Sequence, residues 1–205
     1  MLRVTNPTRT LHFYVTLMGM RVVFTRDVGP MTVYYLGYPQ TDAHRSDPEA
    51  FSKDTSKHEV LTQTLGLLEL VHFRTKEEDE SGKEGSGQID VTSGSESGNL
   101  GFNHLGFTVP DVGKTVERLR KEGVEVVKDT GEGPNDVVPI TRWERMHGAS
   151  DRELSEGFGK LFKQLGFVKD PVSRILASRT QARRVLTAEQ DGYLVELVPQ
   201  TLQSS

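Results

Sequence analysis

The chain has 205 residues, 25 Lys and Arg against 29 Asp and Glu for a formal charge of −4, and 35% apolar and 26% charged residues. This allows one medium domain or two small ones of about 100 residues each, and the near-balanced charge leaves no electrostatic footprint for nucleic acid or an anionic membrane. The absence of cysteine excludes disulfide scaffolds, cysteine zinc sites, thiol nucleophiles and iron–sulfur clusters. No apolar run approaches the roughly 20 residues that span a bilayer. Met1–Pro7 reads as a strand entering a turn, not a signal peptide, so a soluble, cytoplasmic protein is expected.

The first half opens with an apolar strand over Met1–Thr5, followed by Asn6 as N-cap and Pro7 at the first helical position. Leu11, Tyr14, Val15 and Met18 recur at helical spacing, and Gly19 is a stop. Strands follow at Met20–Phe24, Thr32–Leu36 and Gly66–Val71. Residues 76–99 then carry seven carboxylates (Glu77, Glu78, Asp79, Glu80, Glu84, Asp90 and Glu96) against Lys76 and Lys83, among many Ser and Gly. That composition predicts a mobile, solvated linker.

Beyond the linker the pattern starts again. Asn103–Val109 is a strand, Pro110-Asp111 a turn and cap, and Val112, Val116 and Leu119 the helical stripe. Gly123 ends the helix and Val124–Val127 is the next strand. Superposing Gly19 on Gly123 sets Val22-Val23 on Val126-Val127, an offset of 104, and both halves close on an apolar strand containing Glu-Leu-Val, at Glu69-Leu70-Val71 and Glu196-Leu197-Val198. The period is that of a duplicated module, not a solenoid. The expected fold is α+β: two tandem βαβββ modules, residues 1–75 and 100–200, forming a concave mixed sheet with helices outside. Between Lys128 and Leu186 the second half holds a long insertion, about residues 129–184. Ser150 and Glu153 read as a capping box there, Leu154, Phe158, Leu161, Phe162 and Leu165 as one apolar helix face, and Pro171–Ala177 as a second helix. Such a helical hairpin covers exposed sheet or walls a substrate site.

Glu69 lies between Leu67-Leu68 and Leu70-Val71, and Glu196 between Leu194-Val195 and Leu197-Val198. Burying an unpaired carboxylate is expensive, so two at matching places in two repeats point to a function. With His104, at the head of the second half's first strand, they make a set of N and O ligands suited to Zn²⁺, Ni²⁺, Mn²⁺ or Fe²⁺. At the same offset the counterpart of His104 falls just ahead of Met1.

Several stretches carry a family resemblance: Met1-Leu2-Arg3-Val4 through Met18-Gly19-Met20, Leu68-Glu69-Leu70-Val71-His72, Gly101-Phe102-Asn103-His104 through Val112, and Asp191-Gly192-Tyr193 through Leu197. In these the sequence resembles the glyoxalase I (lactoylglutathione lyase) family of the vicinal oxygen chelate superfamily, in its eukaryotic zinc form. The resemblance implies a metal-dependent carbon–sulfur lyase that converts the methylglyoxal–glutathione hemithioacetal to S-lactoylglutathione through an enediolate. It implies Glu69, His104 and Glu196 as metal ligands, Zn²⁺ or alternatively Ni²⁺ as cofactor, and Glu196 as the proton-transferring base with Glu69 opposite. Arg3 and Lys128 fall on anchoring positions for glutathione, and a homodimer follows. The family's first ligand, a Gln, falls upstream of Met1. Leu100 stands where the family anchors glutathione with Arg, and Phe73 where it uses Asn. Those departures keep open an isomerase, epimerase or oxygenase of the same superfamily acting on a larger apolar substrate, or a non-catalytic binding protein of that fold. His72, near Glu69, reads as a possible support for the site.

Overall fold

The computed structural model describes residues 1–81, 91–96, 98–150, 152–170 and 192–202. The chain divides into two compact units, one built on Met1–Val91 and the other on the described residues from Thr92 onward. No helix among the described residues is long and apolar enough to cross a membrane.

The first unit is strand, helix and three strands. β1 (Leu2–Arg3) leads to α1 (Pro7–Leu11), where the Asn6 side chain accepts from Arg9 N–H and Pro7 sits at the first turn. A π-helical stretch over His12–Leu17 continues α1, with Met18 N–H reaching back five residues to Phe13 O. The wider turn rotates the buried face, so Phe13 and Leu17 join Tyr14 and Met18 in the core, while Leu11 and Val15 of the expected stripe are only half-buried. Gly19 ends the helix at φ 78°, a left-handed conformation that glycine adopts without penalty. β2 (Arg21–Asp27), β3 (Met31–Gly37) and β4 (Leu68–Phe73) complete a mixed sheet in the order β1-β4-β3-β2, with β1 parallel to β4 and the other pairs antiparallel.

Between β3 and β4 lie three short helices that the sequence reading did not foresee: α2 (Asp42–Ser46), α3 (Pro48–Thr55) and α4 (His58–Leu61). Their polar composition masks the anchor. Phe51 is fully buried, and Ser52 Oγ donates to Val23 O at 2.6 Å. The acidic segment also departs from expectation. Its first residues form α5 (Lys76–Ser81), with Thr75 and Glu78 capping each other, and the Glu78 side chain is buried. Further on, β5 (Ser95–Glu96) and β6 (Asn99–Leu100) form a small hairpin.

The second unit repeats the plan. β7 (His104–Val109), α6 (Val112–Lys121), β8 (Val126–Lys128), β9 (Gly166–Lys169) and β10 (Leu194–Pro199) form a sheet ordered β7-β10-β9-β8, again with a parallel first pair. Asp111 caps α6, which buries Val112, Val116 and Leu119 on one sheet face. The approach is close: a Cβ at Gly166 would lie 2.9 Å from side-chain carbons of both Val112 and Val116.

On the second sheet, the insertion's side chains bury a second core of Val138, Phe162, Leu165, Phe167 and Leu194. Its helices are α7 (Arg142–Met146) and α8 (Glu156–Phe162). The capping box is Thr141 with Glu144, not Ser150 with Glu153, and α8 starts five residues later than expected because Ser155 provides its N-cap. The helix read over Pro171–Ala177 lies outside the described residues.

Candidate metal-binding and proton-transfer site

In a parallel pair, residues in register share a face. Leu194 pairs with His104 and Glu196 with Gly106, so His104 and Glu196 project from one face of adjacent strands. That face is opposite the one α6 covers, since Leu197, the neighbour of Glu196, lies beneath Gly166 on the helix side. Alternation within an apolar strand thus turns Val195 and Leu197 into the core and leaves Glu196 on the other side, half-buried.

His104 Nε2 stands 3.2 Å from Glu196 Oε2. On the ring's far side Nδ1–H donates to Asn103 Oδ1 at 2.6 Å. With the proton on Nδ1, Nε2 of the neutral ring presents a lone pair to a carboxylate oxygen. Two such acceptors at this distance require a cation, whether a proton on Nε2 or a metal ion shared by both atoms. Ligand atoms about 2.0–2.2 Å from a tetrahedral zinc are about 3.3 Å apart, so the pair fits a shared divalent ion in separation and in donor type. The hydrogen bond from Nδ1 is the kind that orients a metal-binding imidazole. Gly106 lies beside the carboxylate: a Cβ built there would sit 3.7 Å from Glu196 Oε2, in ordinary contact. The Phe167 ring meets His104 edge to face with centroids 5.8 Å apart. Among the described residues no group of three or more His, Cys, Asp or Glu is gathered closely enough to hold a metal; the second unit supplies two donors.

Glu69 occupies the equivalent place in the first sheet. It pairs with Tyr35 of β3, so the two side chains lie next to each other on one face of the sheet. Burial, then the adjacent charge of Glu69, raises the Tyr35 phenol above its ordinary value. The parallel register of β1 and β4, taken one step back from Leu2 and Leu70, opposes Met1 to Glu69. Met1 thus corresponds to Gly106 of the second sheet.

The two basic residues have different settings. Arg3 is exposed and its guanidinium lies 5.0 Å from the Phe73 ring centroid. Both line a cavity of about 350 Å³ with Val4, His72, Arg74 and Thr75 among its walls. Lys128, by contrast, is fully buried, its ammonium donating to Leu165 O at 2.7 Å and Asp129 O at 3.0 Å, over the Phe162 ring. Desolvation lowers its pKa from the ordinary lysine value. In the structure this side chain pins the insertion to β8 and presents no charge to a ligand. His72 also differs from the sequence reading. It is buried, with Nδ1 on Val4 O and Nε2 on Glu78 Oε1, each at 3.0 Å, so it ties α5 to the sheet.

Sequence reasoning found His104, Glu196 and Glu69 but not Tyr35, Asn103 or Gly106. Asn103 adjoins a recognised histidine and was within reach. Tyr35 becomes visible only once the register of β3 on β4 is known.

Residues 1–138 match the Glyoxalase/Bleomycin resistance protein/Dioxygenase superfamily. The chain is 31% identical to a glyoxalase I of Saccharomyces cerevisiae over 137 residues, 64% of this chain and 36% of that one, so it spans about a third of the yeast protein. It is 27% identical to a lactoylglutathione lyase of Pseudomonas putida over 203 residues, 98% of this chain and 83% of that one. The solved trypanothione-dependent glyoxalase I of Leishmania major is 21% identical, with a TM-score of 0.45 over 97% of this chain and 82% of that chain. With a family match over 138 of its 205 residues, the chain belongs to the Glyoxalase/Bleomycin resistance protein/Dioxygenase superfamily.

Proposed function

We propose that this protein is a metal-dependent, glyoxalase I-like lyase that converts the hemithioacetal of methylglyoxal and glutathione to S-lactoylglutathione. The observation that carries the reading is the His104–Glu196 pair, 3.2 Å apart on one face of two parallel strands, with a carboxylate, Glu69, at the equivalent place in the repeat. The relatives named as lactoylglutathione lyases support it. The proposed ligands are His104, Glu196 and Glu69, and the proposed ion is Zn²⁺, with Ni²⁺ the alternative. When bound, such an ion would act as a Lewis acid toward the substrate's oxygens, which acidifies the carbon bearing hydroxyl and sulfur.

The chain's own residues do the rest. The Glu196 carboxylate accepts the proton from the carbon bearing sulfur and hydroxyl and delivers it to the neighbouring carbon, while the hydroxyl's own proton passes to the neighbouring carbonyl oxygen. The first carbon thereby becomes the thioester carbonyl and the second carries the new hydroxyl. General base catalysis of this kind contributes about 10²–10⁴-fold. His104, oriented by Asn103, holds that carboxylate in place, while the half-buried setting of Glu196 limits water at the reacting atoms. Arg3, beside Phe73, is the proposed contact for an anionic end of the substrate. A homodimer is part of the proposal, tested by sedimentation.

The test is S-lactoylglutathione formation by apo-protein reloaded separately with Zn²⁺ and Ni²⁺. Turnover that disappears in Glu196→Gln is expected; none with either metal sinks the reading. A second reading, a superfamily metalloenzyme acting on a larger apolar substrate, is favoured by Phe73 in the cavity wall and by the 42% exposure of Leu100. It predicts metal binding without thiol-dependent turnover.

A further inference from the structure

The two repeats support their equivalent carboxylates by different means. Glu196 faces Phe167 across the antiparallel pair, and Glu69 faces Tyr35. An aromatic ring therefore lies opposite each carboxylate, but only the ring in the first sheet carries a hydroxyl. That ring is held on its other side: Phe24 stacks on Tyr35 with centroids 4.7 Å apart and planes 23° apart, and Arg26 lies 5.2 Å from the Phe24 centroid. Phe24, Tyr35 and Glu69 are in register across three strands, so the brace is continuous.

We infer that Tyr35 is the positioning residue for Glu69: its hydroxyl holds one carboxylate oxygen and leaves the other to a divalent cation. The inference rests on the metal-dependent reading above. A free glutamate carboxylate rotates in a broad well about its last torsion. A hydrogen bond from a stacked, braced phenol removes that freedom before the cation arrives. Groups that hold metal ligands in this way typically contribute 10–100-fold in affinity.

The test is a competition titration of Zn²⁺ against a chromophoric chelator, on the full chain and on Tyr35→Phe, Glu69→Gln and the double variant, with melting temperatures as folding controls. Phenylalanine keeps the stack on Phe24 and removes only the hydroxyl. Tyr35→Phe is expected to weaken zinc about 10-fold with its melting temperature unchanged, and to lower turnover at limiting zinc while leaving KM for the hemithioacetal unaltered. In the Glu69→Gln background the same change is expected to cost nothing further, since coupled residues are non-additive. Unaltered affinity in Tyr35→Phe, or losses that simply add, overturns the inference. Zinc binding with this coupling but no lyase turnover sinks the lyase reading and leaves Tyr35 in its role. A wild-type chain that binds no zinc overturns both.

Discussion

The two sheets share strand order, parallel edge pair and antiparallel register, yet their insertions are spent differently. In the first unit the chain between β3 and β4 packs α3 against β2 through Phe51 and Ser52, and the sheet face bearing Glu69 carries Tyr35, Phe24 and Arg3. In the second unit the chain between β8 and β9 builds a hydrophobic cluster around Phe162, Leu165 and Phe167. Among the described residues, Glu69 has Tyr35 opposite it on the antiparallel neighbour, whereas Glu196 has His104 at 3.2 Å from the parallel neighbour. Duplication therefore kept the place for the acid and left its support free to vary.

The largest effect expected is on that asymmetry. Glu196→Gln removes the proposed base while keeping shape, and turnover is expected to fall about 10²–10⁴-fold, measured by steady-state thioester formation at saturating metal. If Glu196→Gln retains turnover, the two carboxylates do not divide the work as the two supports suggest.

Next is the second unit's own core. Phe162 is fully buried against Leu165, Phe167 and the Lys128 ammonium, and truncation to alanine leaves a cavity worth about 3–5 kcal/mol. Chemical denaturation of Phe162→Ala checks this. A loss under about 1 kcal/mol would mean that the insertion is a loosely held cover and not part of the core. In the first unit the matching test is the buried pair of His72 and Glu78. Both ring nitrogens of His72 face acceptors, and Glu78 also accepts from Thr75 N–H and hydroxyl. Glu78→Ala leaves these donors unpaired, with an expected cost of about 3 kcal/mol in the same assay. Gly166→Ala sharpens the comparison further. Its new methyl meets Val112 and Val116 at 2.9 Å, branched side chains that cannot swing away, and overpacking of this kind costs about 1–3 kcal/mol.

Much of this frame was legible in the sequence because it depends on local signals. Asn6 with Pro7, Asp111, Gly19 and Gly123 mark helix ends chemically, and the apolar strands around Glu69 and Glu196 repeat at matching places. What escaped depends on contacts between residues far apart in the chain. Glu78 looks solvated until His72 and Thr75 are brought to it, and Ser150 with Glu153 has the spacing of a capping box but loses to Ser155. The π-helical turn is set by where Phe13 and Leu17 can be buried, which a stripe at ordinary helical spacing does not encode. Glu196 and His104 were found because strand alternation and a repeat converge on them; Tyr35 needed a register that no single strand contains.

The smallest expected effect concerns how the first unit closes its helix. The Tyr38 hydroxyl donates to Met18 O at 2.9 Å, satisfying a carbonyl at the end of the π-helical turn that has no helical partner of its own. Tyr38→Phe removes one hydrogen bond, for an expected loss of about 1 kcal/mol at neutral pH. Burial raises the Tyr38 pKa from its ordinary value, so the folded chain holds this proton more tightly than the unfolded one. The stabilisation is therefore complete below the ordinary phenol pKa of about 10 and is lost as pH rises through the raised value. Lys128 acts in the opposite sense: its lowered pKa penalises the folded state while the amine is charged, and stability from this group rises with pH. Subtracting the Tyr38→Phe profile from that of the wild type cancels Lys128 and Tyr35 alike. The difference is expected to be flat to about pH 10 and to shrink above it; a difference that shrank at lower pH would show that the hydroxyl is not held in the folded state.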